Sequence, residues 1–211
     1  LVGREAVGRL SLAGALPNRW QERDLDLARI ICRQLGAAAE RIRVFEDSQL
    51  NNRLMAKLII HSERLNRNYN LSDLVKAIGK AAQELTGVQQ AAMFLLEQSN
   101  QYTCAWHTGI SAQTVATITA HLHGSQNKDI LSLNSPLLLD DLSNPAESPP
   151  WIYWNDELQD LSAAGVLPLI FEQRVSAVIL VFYRQPAQWK RIELEVFQAF
   201  TRQAAIALEN S

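Results

Sequence analysis

Val166-Leu-Pro-Leu-Ile-Phe-Glu-Gln-Arg-Val-Ser-Ala-Val-Ile-Leu-Val-Phe-Tyr183, followed by Pro186-Ala-Gln-Trp189 and an amphipathic run to the end of the chain, decides the fold. Val166 to Phe171 and Val175 to Tyr183 are strand-length apolar runs separated by Glu172-Gln173-Arg174, which reads as a β-hairpin. From about Lys190, the residues Val196, Phe197, Phe200, Ala204 and Leu208 fall on one face of a helix. The unit is therefore strand, loop, helix, and the chain carries it twice. Pro17, Trp20, Leu25, Arg33, Gln34 and Glu40 recur without a gap as Pro186, Trp189, Leu194, Arg202, Gln203 and Glu209. The acids Asp24 and Asp26 recur as Glu193 and Glu195, and the offset is 169 residues throughout, from Trp20 to Trp189. Two amphipathic helices can look alike by chance, but chance does not supply the shared Pro-x-x-Trp lead-in. A period this long is one domain plus a connector, not a solenoid repeat.

This divides the chain into residues 1–42, the final strand and helix of a preceding domain, residues 43–67, a helical linker, and residues 68–211, a complete second domain. The strand of the first copy, Ala6 to Ala13, has no sheet of its own here. It is expected to fray or to pair with another chain by edge addition. The start Leu1-Val-Gly-Arg-Glu5, without a Met, reads as part of a longer protein.

From Gln21 to about Asn66 there is no proline and a single glycine, Gly36, which predicts one long helix. Ile31, Leu35, Ala38, Ile42 and Phe45 follow the 4-3-4-3 spacing of a coiled-coil seam, and Leu50, Leu54 and Leu58 continue it after a five-residue step. A parallel two-chain coil is the expected use of this seam. The alternative is a helix packed on its own domain. Asn70 caps the next helix, whose apolar face is Leu71, Leu74, Val75, Ile78, Ala82 and Leu85, and Gly87 closes it. Gln89 to Glu97 and Tyr102 to His107 predict a second hairpin, Ala112 to His123 a helix, and Leu137 to Leu139 a short strand. Asp156 to Ala164 predicts a helix ended by Gly165. The fold class is α+β: an antiparallel sheet with the terminal helices on one face, preceded by a long coiled-coil-like helix.

Of 211 residues, 47% are hydrophobic and 20% charged, with a net charge of −2, and Lys and Arg are interspersed with acids. No basic face marks a nucleic-acid partner. No apolar run approaches the roughly 18 residues of a membrane span. Two cysteines, Cys32 and Cys104, without CxxC spacing form neither a zinc site nor a disulfide framework, which suits a cytoplasmic setting. No nucleophile elbow, P-loop or dinucleotide fingerprint occurs, so no catalytic residue and no metal site is assigned. Asp140, Asp141, Glu147, Asp156 and Glu157 lack calcium-loop spacing and read as loop caps. His121 and His123, two apart on a helix, do not share a face. The best binding clue is Trp151-Ile-Tyr153-Trp154, after Pro149-Pro150: three rings in four residues that either roof the core or lid a small-molecule cavity. Phe94, Trp106, His107, Leu139 and Leu167 are the residues expected to line such a cavity from below.

The order and spacing of Asn70-Leu-Ser-Asp-Leu-Val-Lys-Ala-Ile78, Glu84-Leu-Thr-Gly87, Ala91-Ala-Met-Phe-Leu-Leu96, Val166-Leu-Pro-Leu169 and Gln203-Ala-Ala-Ile-Ala-Leu-Glu-Asn210 resemble a GAF domain. The likeness covers about residues 68–211, and residues 4–42 resemble the end of another. It implies a five- or six-stranded sheet, a ligand cavity on the face opposite the terminal helices, and dimeric signalling through helices to an output domain, as in sensor histidine kinases and other two-component proteins. An alternative within the family is a structural spacer whose cavity is filled by its own side chains. Cyclic-nucleotide members carry Asn-Lys, Phe and Asp-Glu after the last strand, where this chain has Tyr183-Arg184, Trp189 and Ile192-Glu193-Leu194; its Asn127-Lys128 sits elsewhere. Bilin-binding members use a Cys-His pair, whereas Cys104 precedes Ala105 and Cys32 lies outside the domain. Haem-binding members use one axial His, for which His107 is the candidate. Cyclic nucleotide, bilin and haem are therefore not expected, and the ligand class stays open. Methionine sulfoxide reductases on this fold need several cysteines, and residues 68–211 hold only Cys104.

Overall fold

The computed structural model describes residues 8, 9, 11, 13, 20–65, 70–97, 99, 101–123, 132–142, 161–187 and 189–211. The chain divides into two units, Leu1–Arg53 and Leu54–Ser211. In the first, Gly8, Arg9, Ser11 and Ala13 are exposed and belong to no regular element, while the rest of the expected strand Ala6 to Ala13 lies outside the described residues. Helix α1, Glu22–Leu65, begins in this unit and has Glu22 and Asp24 in its first turn, where carboxylates favour the positive end of the helix dipole. Ile31, Leu35, Ile42 and Phe45 are exposed along it, Ile42 by 60% and Phe45 by 64%. Ala38 is exposed and Leu50 half-buried.

The second unit contains the last turns of α1, where Leu54, Leu58, His61 and Leu65 are all buried. Leu54 and Leu58, expected on the two-chain seam, are thus covered within the domain instead. The five-residue step after Phe45 rotates the apolar stripe onto a different face of the helix, and that face meets α2, Leu71–Thr86: Lys57 Nζ donates to the Glu84 carbonyl (2.7 Å), and His61 Nε2 lies 3.3 Å from Glu84 Oε2. Helix α2 starts at Asn70, whose Oδ1 accepts from the Asp73 amide (2.9 Å), and stops at Gly87, which takes the left-handed conformation at φ 73°.

Strands β1 (Gln90–Leu96), β2 (Tyr102–Thr108), β3 (Leu137–Leu139), β4 (Ala163–Phe171) and β5 (Arg174–Tyr183) form one antiparallel sheet in the order β2-β1-β5-β4-β3. Helix α3 is Ala112–Leu122 and α4 is Arg191–Glu209. The β4–β5 turn uses Glu172 and Gln173 at φ 45° and 66°, the positive-φ pair of a type I′ hairpin whose twist matches the strands. Gly165 does not end a helix, as the sequence had suggested; it lies inside β4, between Val181 of β5 and Leu138 of β3. A Cβ there would come within 2.8 Å of the Val181 side chain and 3.2 Å of Leu138, so three strands pack closely at this point only because the side chain is missing.

Helices α2 and α4 cover one face of the sheet. Tyr183 ties them to it: its hydroxyl donates to the Thr86 carbonyl (3.1 Å), and its ring meets Trp189 edge-on at 4.9 Å, which in turn meets Phe197 of α4 at 6.0 Å. Helix α3 and the residues around Leu142 and Leu161 cover the other face. With both faces covered, the central strands read as continuous apolar runs without polar alternation, as β4 and β5 do.

Candidate functional site

The face carrying α3 is built from Ala92 and Phe94 of β1, Val178, Leu180 and Phe182 of β5, and Ala164 and Val166 of β4. Ile118 and Leu122 of α3 close over them, with Leu142 and Leu161 at the side. Tyr102, the first residue of β2, points into this apolar cluster and is 1% exposed. Among the described residues its hydroxyl has no hydrogen-bond partner. Burial pushes its pKa up to about 12, so the group stays a neutral donor. An unsatisfied buried hydroxyl costs about 1–3 kcal/mol, which marks this atom among its apolar neighbours. Tyr102 carries little signal in the sequence, where it is simply the first residue of a strand-length run, two positions before Cys104.

The expected cavity-lining residues divide between the two faces. Phe94 is fully buried on the α3 face, and Leu139 packs half-buried against the same cluster. His107 is exposed on edge strand β2, opposite Ala92. Trp106 and Leu167 lie on the face covered by α2 and α4, so they do not line a common cavity with Phe94. For Leu167 the reason is simple alternation, since it pairs with Ile179 while Val166 and Leu180 face α3. For Trp106 it is a β-bulge: Met93 pairs with Trp106 and Phe94 with Cys104, so Ala105 is an extra residue in β2. One inserted residue reverses the facing of everything beyond it. Cys104 therefore packs on the α3 cluster while the Trp106 indole lies against Gly79 of α2. Trp151, Tyr153 and Trp154 lie outside the described residues.

The remaining polar groups near this face serve the backbone. A ring nitrogen of His123 lies 2.6 Å from the Tyr102 carbonyl, and one of His121 lies 2.9 Å from the Thr117 carbonyl. Burial raises the Cys104 thiol's pKa, and its Sγ donates to the Trp106 carbonyl. A buried, protonated thiol is a poor nucleophile. Among the described residues there is no group of three or more His, Cys, Asp or Glu side chains placed to hold a metal ion.

Two open clefts lie elsewhere in the domain. One, of about 260 Å³, lies between α4 and the end of β4, where Arg202, Gln198 and Thr201 face Asn134 and Ser135 over Pro168. The other, of about 340 Å³, lies between the end of α1 and α2, with His61, Arg64, Lys76 and Lys80 facing Asp73 and Glu84.

Comparison with known proteins bears on this architecture. The family model described as GAF domain matches residues 68–209. No protein of curated function matches the chain. Among solved structures, the GAF domain of a phosphoenolpyruvate-protein phosphotransferase from Coxiella burnetii is similar with a TM-score of 0.59 and 14% identity, over 76% of this chain and 95% of that one. The GAF domain of a protein assigned as a sensor histidine kinase in Pseudomonas syringae pv. tomato gives 0.57 and 14%, over 79% and 92%. Residues 122 to 287 of a methyl-accepting chemotaxis protein give 0.54 and 12%, over 74% and 97%. At such identities the likeness shows the shared fold.

Proposed function

The chain belongs to the GAF domain family, and from that premise we propose that residues 68–211 are a sensory input module that binds a small molecule on the α3 face of its sheet. GAF homologues are regulatory modules of signalling proteins and are generally non-catalytic. The observation that carries the ligand reading is the partnerless hydroxyl of Tyr102, buried on the sheet face opposite α2 and α4. A ligand acceptor placed there would satisfy a donor that the described residues leave unmet. Phe94 and Leu139 would supply apolar contact.

The signal would leave through helices. We read α1 as the dimer-forming linker, because Ile42 and Phe45 are large apolar side chains left exposed at seam spacing. Binding would shift the packing of α2 and α4, and the paired linkers would pass that bias to an output domain such as a kinase. Residues 1–42 are, in this reading, the end of a preceding domain of the same kind. Among the described residues no helix is long and apolar enough to cross a membrane.

A second reading is a spacer domain that binds nothing. Its supporting observation is the packing of Phe94, Ile118 and Leu122, each at most 1% exposed, which fills part of the same face with the chain's own side chains. Tyr102→Phe separates the two. On the ligand reading, the variant is as stable as the parent or more so by about 1 kcal/mol, because an unmet hydroxyl is removed. It also loses the thermal-shift response to whichever compound in a panel of nucleotides, haem, bilins and organic and amino acids stabilises the parent. A parent unmoved by the whole panel in thermal shift and native mass spectrometry would leave the spacer reading standing.

A further inference from the structure

The exposed face of α1 carrying Leu27, Ile31 and Leu35 is unexplained by its own unit, and the repeat says what it fits. Shifted by 169 residues, α1 can be read against α4, whose surroundings are known. Val196, Phe200 and Ala204 of α4 are at most 1% exposed and correspond to Leu27, Ile31 and Leu35. Phe197, Thr201 and Ala205, also buried, correspond to Ala28, Cys32 and Gly36. The exposed positions of α4 behave in the opposite way: Glu195, Arg202, Gln203 and Glu209 correspond to Asp26, Arg33, Gln34 and Glu40, all polar. Where α4 faces its sheet, α1 is apolar or small; where α4 faces solvent, α1 is charged or amide except at Ala37, the counterpart of exposed Ile206. Two unrelated amphipathic helices would have no reason to keep this phase together with the identity of their outer-face residues. Yet Leu27, Ile31 and Leu35 are 58%, 42% and 58% exposed, against the complete burial of their counterparts.

We infer that the Leu27–Ile31–Leu35 face of α1 is a sheet-docking face, occupied in the whole protein by the apolar side of an antiparallel GAF-type sheet from a preceding copy of the 169-residue unit. This rests on reading residues 1–42 as the end of such a copy. The occupant is not the sheet of a second copy of this chain, because the corresponding side of that sheet is already covered by α2 and α4. Gly36 and Ala28 fit the assignment: like Ala205, they allow a helix to approach a sheet closely. Ile31 and Leu35 thereby leave the two-chain seam, which begins at Ala38 and carries Ile42 and Phe45.

Cys32 reports on this face, since it is exposed here while its counterpart Thr201 is buried against the sheet at 4% exposure. The test is alkylation of Cys32, followed by peptide mass spectrometry, in the natural full-length protein and in residues 1–211. Labelling at least about tenfold slower in the full-length protein is the expected result, since a docked face reacts only through local opening. Leu35→Glu in the full-length protein should restore fast labelling without changing its mass in light scattering, and Leu35→Ala gives the same direction where Glu is not tolerated. Equal rates in both proteins, with a folded and protease-resistant region before residue 22, would overturn the docking face alone. No folded region there would overturn the tandem reading beneath it. Fast labelling in Leu35→Glu together with a fall from dimer to monomer would give the face to a second copy instead.

Discussion

Gly79 lies on α2 where an ideal Cβ would run into the indole of Trp106. The ring lies against α2 because the bulge at Ala105 turns it there, so the glycine and the bulge depend on each other. Gly79→Ala gains helix propensity but overpacks this contact, and a loss of about 1–3 kcal/mol is expected in urea unfolding. His61 shows two influences in competition. Its ring is 4% exposed, and desolvation lowers its pKa below the ordinary 6.5; Glu84 opposes that, while Arg64 and Lys57 reinforce it. Asp73, Lys76 and Lys80 also face the cleft beside it. Desolvation outweighs the Glu84 contact because that carboxylate is half in water, its side chain 56% exposed. The folded protein therefore holds His61 neutral. Its contribution to stability is complete above the unfolded value of 6.5 and is lost as pH falls below it towards the lowered folded value. The urea midpoint should be lower at about pH 5.5 than at about pH 7.5, and His61→Gln should reduce that difference. Glu84→Gln should enlarge it, since it removes a carboxylate that favours the charged ring.

At the scale of elements, α1 shows most clearly what sequence reading can and cannot see. Its 4-3-4-3 spacing locates a continuous helix, observed as Glu22–Leu65, because helical periodicity is a local property. The spacing says nothing about what covers each stretch of the stripe. Leu54 and Leu58 went to the domain's own surface, whereas Ile42 and Phe45 remained exposed. A charge at Phe45 therefore separates seam from domain: Phe45→Glu should halve the mass measured by light scattering while leaving the thermal transition of residues 54–211 in place. An unchanged mass would count against pairing through α1. The β elements follow the same rule. β1 to β3 and the β4–β5 hairpin fall where their apolar runs placed them, but the expected helix before Gly165 does not reach that residue. Ala163 and Ala164 have helical propensity, and only their pairing with Tyr183 and Phe182 makes them strand.

For the whole molecule, the unit Leu54–Ser211 contains a complete sheet covered on both faces, and it includes the last turns of α1. A chain starting at Leu54 should keep its unfolding midpoint within about 2 °C of the parent. One starting at Asn66 loses the burial of Leu54, Leu58 and Leu65, which are 4–8% exposed, and should be less stable by at least about 3 kcal/mol. The sequence by itself determined the long helix, most of the described elements, their order and the antiparallel hairpins, because turns, caps and periodicity are written within a few residues of where they act. Phe94 and Leu139 lie on the face opposite the terminal helices. Only the tertiary structure decided which face each remaining residue joined. Trp106 crossed over through one inserted residue, and Leu167 is read correctly only once its partner Ile179 is known. Tyr102 became conspicuous only when its buried hydroxyl was found without a partner. An apolar side chain declares in sequence that it will be buried, but strand register and packing across long loops decide against what, and those depend on contacts far apart in the chain.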